Sequence, residues 1–176
     1  MTYTPEQISQ IVLKVLKEVE EPDVSKLSNA EKIELAQNPN TSQETLKLLA
    51  TDEGFGVRRG VADNQNTPQE TLRILATDKE SYVRYWVALN QNTSQELLKI
   101  LATDEKPYVR CGVALNQNTS QESLAILATD KYSYVCNSAT QNPNYKKQTL
   151  ELTSVQYDAL KKLIESGQDE VLKGIL

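Results

Sequence analysis

Residues 64–89 read NQNTPQETLRILATDKESYVRYWVAL, and residues 90–115 read NQNTSQELLKILATDEKPYVRCGVAL. The two align without a gap at a period of 26. The pattern extends back to NPNTSQETLKLLATDEGFGVRRGVAD at 38–63 and forward to NQNTSQESLAILATDKYSYVCNSATQ at 116–141. Self-similarity at a fixed period of this size marks a stacked repeat architecture, in which each copy buries its apolar side only against its neighbours. Comparing the copies separates positions that the stack repeats from positions that it leaves free.

Each copy opens on Thr-Ser-Gln-Glu or Thr-Pro-Gln-Glu, as in Thr41 to Glu44 and Thr67 to Glu70, which reads as a capping box that starts a helix. Leu46, Leu49 and Ala50 follow i, i+3, i+4 spacing, as do Leu72, Leu75, Ala76 and Leu98, Leu101, Ala102, and they form one apolar face. Leu48, Ile74, Ile100 and Ile126 point elsewhere on the wheel, so the short first helix is expected to be sandwiched between two repeats. Asp52, Asp78, Asp104 and Asp130 then cap a second helix carrying Val57 with Val61, Val83 with Val87, and Val109 with Val113. That helix ends at an Asn-x-Asn loop, where asparagine can take a left-handed conformation and bond its own backbone. Stacked copies of Asn38, Asn64, Asn90, Asn116 and Asn142 predict an asparagine ladder along one edge.

The segment Asn-x-Asn-Thr-Ser-x-Glu-x-Leu-x-x-Leu-Ala-x-Asp, with Pro for Ser in one copy and with Val-Arg and Val-Ala following, resembles the leucine-rich repeat variant family over about residues 38–144. The resemblance implies a right-handed α-solenoid of 26-residue two-helix repeats, the second helix closer to 3₁₀ than α, and a binding or scaffolding role. HEAT repeats share the Asp…Val-Arg spacing but have a longer period. Some members of the variant family carry a cysteine-ligated iron–sulfur module ahead of the repeats; the first cysteine here is Cys111, so no such module and no cofactor is expected.

The chain therefore divides into an N-terminal helical cap and half repeat at 1–37, four repeats and the start of a fifth at 38–144, and a C-terminal helical cap at 145–176. Atypical ends are expected because a terminal repeat would otherwise leave its stacking face in water. Thr4-Pro5-Glu6-Gln7 starts a helix with Ile8, Ile11, Val12, Val15 and Val19 on one side, and Glu31 to Ala36 mimics a second helix before Asn38. Tyr157, Leu160, Leu163 and Ile164 form an amphipathic helix that Gly167 breaks, and 171–176 make a last short helix, a terminus suited to packing or self-association into a homo-oligomer.

Composition narrows the functions. Apolar residues make up 39 % of the chain, which fits a thin, layered core. The formal charge of −5 and pI near 4.9 oppose nucleic acid and anionic membranes. The first residues show neither a basic leader nor an apolar run of membrane length, so a cytoplasmic location is expected. There is no histidine, which removes the usual general base and the commonest metal ligand. Gly54, Gly56 and Gly60 are spaced unlike a phosphate loop and read instead as a loosened turn between helices. Cys111 and Cys136 lie one repeat minus one residue apart, and stacked helices are spaced too widely for a disulfide, so two free thiols are expected. The chain is accordingly read as not an enzyme.

Two sets of residues remain as candidates for a site. Arg58, Arg84 and Arg110 form a row broken at Cys136; it could bind phosphates or carboxylates, or pair with the equally periodic aspartates, and the pairing reading is preferred because both rows belong to the repeat. The second set varies between copies while the scaffold stays fixed: Gly56, Arg59, Gly60; Tyr82, Tyr85, Trp86; Tyr108, Cys111, Gly112; Tyr134, Asn137, Ser138. Within each helix these are i, i+3, i+4 and share a face. Arg59, Tyr82, Tyr85, Trp86, Tyr108 and Tyr134 are the expected partner-binding residues, since Tyr and Trp are favoured interface anchors. Trp86 could instead plug a gap between repeats, although glycine at its place in the neighbouring copies suggests that no bulk is needed there. The expected function is a non-catalytic scaffold for a protein or peptide. The alternative is a nucleic-acid-binding solenoid using the Arg row and stacking tyrosines, and an enzyme acting on DNA bases would need a convergent acidic residue in a basic cleft.

Overall fold

The computed structural model describes residues 3–18, 21–147 and 154–165, and the chain divides into a compact unit over 1–146 and a second over 147–176. The first unit opens with α1 (Pro5–Glu18), a 3₁₀ turn at Val24–Lys26 and α2 (Asn29–Gln37). Four helix pairs follow, one per repeat: α3 (Gln43–Leu49) with α4 (Phe55–Asp63), α5 (Gln69–Leu75) with α6 (Ser81–Leu89), α7 (Gln95–Leu101) with α8 (Pro107–Leu115), and α9 (Gln121–Leu127) with α10 (Ser133–Gln141). The second unit holds α11 (Ser154–Glu165). No strand occurs among the described residues, and the repeated packing is that of a helical solenoid. The second helix of each pair is a nine-residue α-helix, not 3₁₀ as the family resemblance implies.

The second helices form the spine: α2 packs on α4, α4 on α6, α6 on α8 and α8 on α10, while each first helix packs against the second helices beside it. Leu46, Leu49, Leu72, Leu75, Leu98, Leu101, Leu124 and Leu127 from the first helices are essentially fully buried, against Val57, Val61, Val83, Val87, Val109, Val113 and Val135 from the second. Burying such a side chain is worth about 1.5–3 kcal/mol, so this twofold stripe supplies most of the cohesion. The remaining aliphatic row is not sandwiched: Leu48, Ile74, Ile100 and Ile126 are 44–60 % exposed. One apolar face suffices because the first helices rest on the spine from one side only.

The caps differ in detail from the sequence reading. Ser42, Ser94 and Ser120, one residue after the threonine, are the N-caps and accept from Thr45, Leu97 and Ser123 N–H. The threonines turn inward instead, Thr41, Thr67, Thr93 and Thr119 donating to Leu35, Val61, Val87 and Val113 carbonyls. The full capping boxes lie outside the four repeats, Thr4 with Gln7 at the start of α1 and Ser28 with Glu31 at the start of α2. The aspartates sit two residues ahead of their helices, each accepting the N–H of the N-cap residue (Gly54, Glu80, Lys106 and Tyr132) at 2.8–2.9 Å. At the other end Asn64, Asn90, Asn116 and Asn142 are extended, with φ between −63° and −72°, not left-handed. Their side chains accept from the N–H two residues on, which turns the chain without positive φ.

The ends close by composition. At the N-terminus α2 acts as the second helix of an incomplete repeat, with Ala36 buried and Ile33 and Leu35 packed on the core. On α1, Thr4 and Gln7 cap each other, while Ile8 and Ile11 are about half exposed; the side chains of Val12, Val15 and Val19 lie outside the described residues. On α10 the places held by Tyr85 and Ala88 in α6 are taken by exposed Asn137 and Thr140, so the last stacking face is polar. In α11, Tyr157 and Leu163 are exposed; the side chains of Leu160 and Ile164, and the Gly167 break with the short helix after it, lie outside the described residues.

Candidate interaction surface

The arginine row is a set of internal rungs. Arg58 pairs with Asp78, Arg84 with Asp104 and Arg110 with Asp130, each through Nε at 2.6 Å and Nη2 at 2.9–3.0 Å. The third guanidinium nitrogen reaches back to the carbonyl of the preceding aspartate, Asp52, Asp78 or Asp104, at 2.7–2.8 Å. Lys32 occupies the same place one period earlier and pairs with Asp52 at 2.7 Å, so the row begins in α2. It ends at Cys136, whose thiol donates to the Ala128 carbonyl; Cys111 and Cys136 are both free. The hydrogen bonds donated to aspartate raise the arginine pKa values further. Burial alone would push Asp104 up, and the hydrogen bonds from Arg84 outweigh it and hold the carboxyl below its ordinary range. Arg110 does the same for Asp130.

A second ladder runs parallel. Asn64 Nδ2 donates to the Ala36 and Asn38 carbonyls, Asn90 to Ala62 and Asn64, Asn116 to Ala88 and Asn90, and Asn142 to Ala114 and Asn116, all at 2.8–2.9 Å. These asparagines are buried, whereas Asn38, at the foot of the ladder, is exposed. An open notch of about 670 Å³ is lined by Thr51, Asp52, Glu53, Arg58, Asp78 and Lys79. Three of its charged groups, Asp52, Arg58 and Asp78, are already paired within the ladder.

The copy-varying residues do not share one exposed face. Tyr82 and Tyr134 are 53 % and 44 % exposed, but Gly60 and Gly112, at the i+4 place, are buried between second helices. A Cβ on Gly60 would lie 3.0 Å from Ala36 Cβ, and one on Gly112 3.1 Å from both Ala88 Cβ and Tyr85 Cδ2. The glycines are therefore present because the helices approach closely, and they do not show that bulk is dispensable. Gly56 and Gly60 lie inside α4, not in a loosened turn. Trp86, at the same i+4 place, is half-buried against the core, with its indole N–H buried and without an acceptor among the described residues. It is a packing residue that stays partly exposed.

Beside it the aromatics gather. Tyr85 lies 5.8 Å from Trp86, 6.1 Å from Tyr82 and 6.1 Å from Tyr108, and Tyr82 lies 6.2 Å from Tyr108. Tyr108 also bonds Ser81 through its hydroxyl. Arg59 stands over the Trp86 ring at 5.7 Å. Tyr134 pairs instead with Tyr132, at 5.9 Å, which in turn receives Arg110 and Lys131 over its ring. Tyr132, exposed Phe55 and exposed Leu115 extend the apolar surface of the second helices and were not expected as site residues. Each replaces a residue of another type in some other copy, Glu80 for Tyr132, Ser81 for Phe55 and Asp63 for Leu115, and that variation is the signal that could have found them.

Among the described residues no three His, Cys, Asp or Glu are grouped to hold a metal ion, and no helix is long and apolar enough to cross a membrane. The fold and surface define the class: a helical-repeat protein with internally satisfied ladders and an aromatic patch on its second helices. No family model matches the chain, and no curated protein matches it.

Proposed function

We propose that the chain is a non-catalytic protein-interaction module of cytoplasmic type, in which the second-helix face of the repeats docks a protein or peptide. The observation that carries this reading is the cluster of Tyr82, Tyr85, Trp86 and Tyr108, with all four rings within 6.2 Å of a neighbour and Tyr82 more than half exposed. Rigid aromatic side chains lose little entropy on binding and bury large areas, which makes them favoured anchors. The repeat motif supports grouping the chain with leucine-rich repeat variant proteins, with the difference that its second helices are α-helical. The nucleic-acid alternative loses its main support, because Arg58, Arg84 and Arg110 already hold their donors on aspartates and carbonyls.

The test uses three baits: the natural chain, Tyr82→Asp on the aromatic face, and Ile74→Asp on the first-helix side. In capture from the native cell, the specific partner should be lost from the Tyr82 bait and kept by the Ile74 bait. Equal capture by all three, or loss only from the Ile74 bait, would reject this face.

A further inference from the structure

We infer that the aromatic patch recognises a carboxylate carried on an extended, apolar peptide segment, with Arg59 as the carboxylate anchor and Trp86 as its platform. The inference rests on the interaction-module reading and specifies the chemistry of its partner.

The chain has five arginines, and four of them are paired: Arg58, Arg84 and Arg110 with buried aspartates, and Arg73 with Glu96 at 3.4 Å. Among the described residues Arg59 alone has no carboxylate. Asp63, one turn along α4, makes no ion pair with it, and no carbonyl accepts from its guanidinium. It lies over the Trp86 ring, and the buried Nε–H of Arg59 and Nε1–H of Trp86 are both without an acceptor among the described residues. A guanidinium placed over an indole, here 5.7 Å from the ring centroid, keeps its planar fork of donors, the group that meets a carboxylate through two parallel hydrogen bonds. On a chain of net charge −5, such an unpaired cation beside the main aromatic cluster gives the patch a charge preference that the rest of the molecule opposes.

Register supplies the second half of the site. Arg59 and Tyr85 occupy equivalent places in successive repeats, as do Tyr82 and Tyr108. A segment running along the stack from Arg59 would therefore meet Tyr85, Tyr82 and Tyr108 in turn, rings that offer apolar faces and phenol groups. The carboxylate can belong to an Asp or Glu side chain or to a peptide C-terminus; the chemistry at Arg59 is the same.

The probe is a phage-displayed library of random dodecapeptides selected on the 176-residue chain, followed by synthetic peptides titrated against the emission of Trp86, its only tryptophan. Selected peptides should carry Asp or Glu next to aliphatic or aromatic residues and should shift Trp86 emission. Replacing the peptide Glu by Gln should weaken binding about tenfold or more, and so should Arg59→Gln in the protein. The two changes together should cost no more than either alone, and Arg59→Lys should recover part of the loss. Parallel peptides ending in an acid or an amide separate a side-chain source from a terminal one. The peptide-side replacement leaves the protein intact, so a folding defect in the Arg59 variants cannot mask the result. Binders that depend on Tyr82 but not on Arg59 or on the peptide acid would overturn the carboxylate inference and leave the docking face standing. Absence of binders, or binders that leave Trp86 emission unmoved, would overturn both.

Discussion

Arg58 and Arg59 are neighbours of identical chemistry on α4, and the repeat sends them to opposite fates. Arg58 is 7 % exposed and closes three hydrogen bonds at or below 3.0 Å to Asp78 and the Asp52 carbonyl, with a fourth to Glu53; Arg59 lies over Trp86 without an ion pair. The same division separates Arg84 from Tyr85 on α6 and Arg110 from Cys111 on α8. One position recurs in three copies because its partner, an aspartate 20 residues on, recurs with it. The next position varies, and its contacts in the following copy vary with it: Arg59 lies over Trp86, Tyr85 against Gly112 and Tyr108, and Cys111 beside Ser138. Recurrence thus marks scaffold where the recurring group has a recurring partner, and variation marks places where the contact between repeats is settled copy by copy, some of them open to solvent.

If that division is right, Arg84→Ala should be among the most damaging single changes on the second helices. It strands Asp104, whose side chain is 8 % exposed, and removes a donor from the Asp78 carbonyl. Loss of one partner of a buried pair costs about 3–5 kcal/mol, readable as a lower urea midpoint. Tyr82→Ala, two residues away but more than half exposed, should cost about 1 kcal/mol or less. Equal costs would erase the distinction between ladder and surface.

Acid should dismantle the ladder before it affects the aromatic patch. The folded state holds Asp130 below its ordinary value of 3.8, through Arg110, and holds Asp52 and Asp104 below it as well, where Lys32 and Arg84 outweigh the upward push of burial. A carboxyl depressed in the folded state contributes stability that is full above its unfolded pKa and is lost as pH falls through the folded one. Urea midpoints should therefore stay level from neutrality to about pH 5 and decline below about pH 4. In Arg84→Ala the decline should be shallower, because Asp104 no longer has a depressed value to lose. An unchanged slope would show that the acid sensitivity arises elsewhere.

The glycines make a finer version of the same contrast. Gly112→Ala places a methyl 3.1 Å from Ala88 Cβ and 3.2 Å from the Tyr85 carbonyl, atoms of a packed helix that cannot yield easily. Overpacking of this kind costs about 1–3 kcal/mol. Gly56→Ala meets only the Cδ1 end of Ile33 at 3.3 Å and Ile33 Cγ1 at an ordinary 3.8 Å, so the gain in helix propensity should prevail by about 0.5–1 kcal/mol. Thermal melts of the two variants should move in opposite directions.

Most of the fold was legible because it is written four times. The period of 26, the Leu-x-x-Leu-Ala face, the Arg–Asp row and the asparagine ladder all followed from comparing copies within one chain. Less legible was anything that depends on which side of a helix meets a neighbour. The i, i+3, i+4 set Tyr82, Tyr85 and Trp86 shares a helical face in projection, but α4 packs against the Trp86 side, so the face is divided between interface and solvent. Glycine at 60 and 112 read as freedom from bulk when it recorded close approach, a distance that a sequence does not carry. The Asp side chains read as N-caps because their type and place fit; a bend and an extended N-cap residue before each second helix moved them into the turn, where one carboxylate serves both the chain reversal and the basic residue of the preceding repeat.

The row Leu48, Ile74, Ile100 and Ile126 is the one aliphatic set that recurs in all four copies and yet remains exposed, so it tests the rule from the other side. Beside it run ion pairs between successive first helices, Lys47 with Glu70, Arg73 with Glu96 and Lys99 with Glu122, all exposed and at 3.1–3.7 Å. Exposed pairs of this kind contribute little, with a median of about 0–1 kcal/mol. The aliphatic row has no counterpart of the aspartates: nothing in the next repeat is shown to require it. Ile74→Ser should accordingly change stability by about 0.5 kcal/mol or less, well under the roughly 2–5 kcal/mol expected for truncating the buried Leu72 or Leu75 of the same helix to Ala. A urea titration of Ile74→Ser beside Leu75→Ala measures the difference. A loss above about 1 kcal/mol for Ile74→Ser would mean that the row is covered in solution, and recurrence alone would then be enough to identify a packed position.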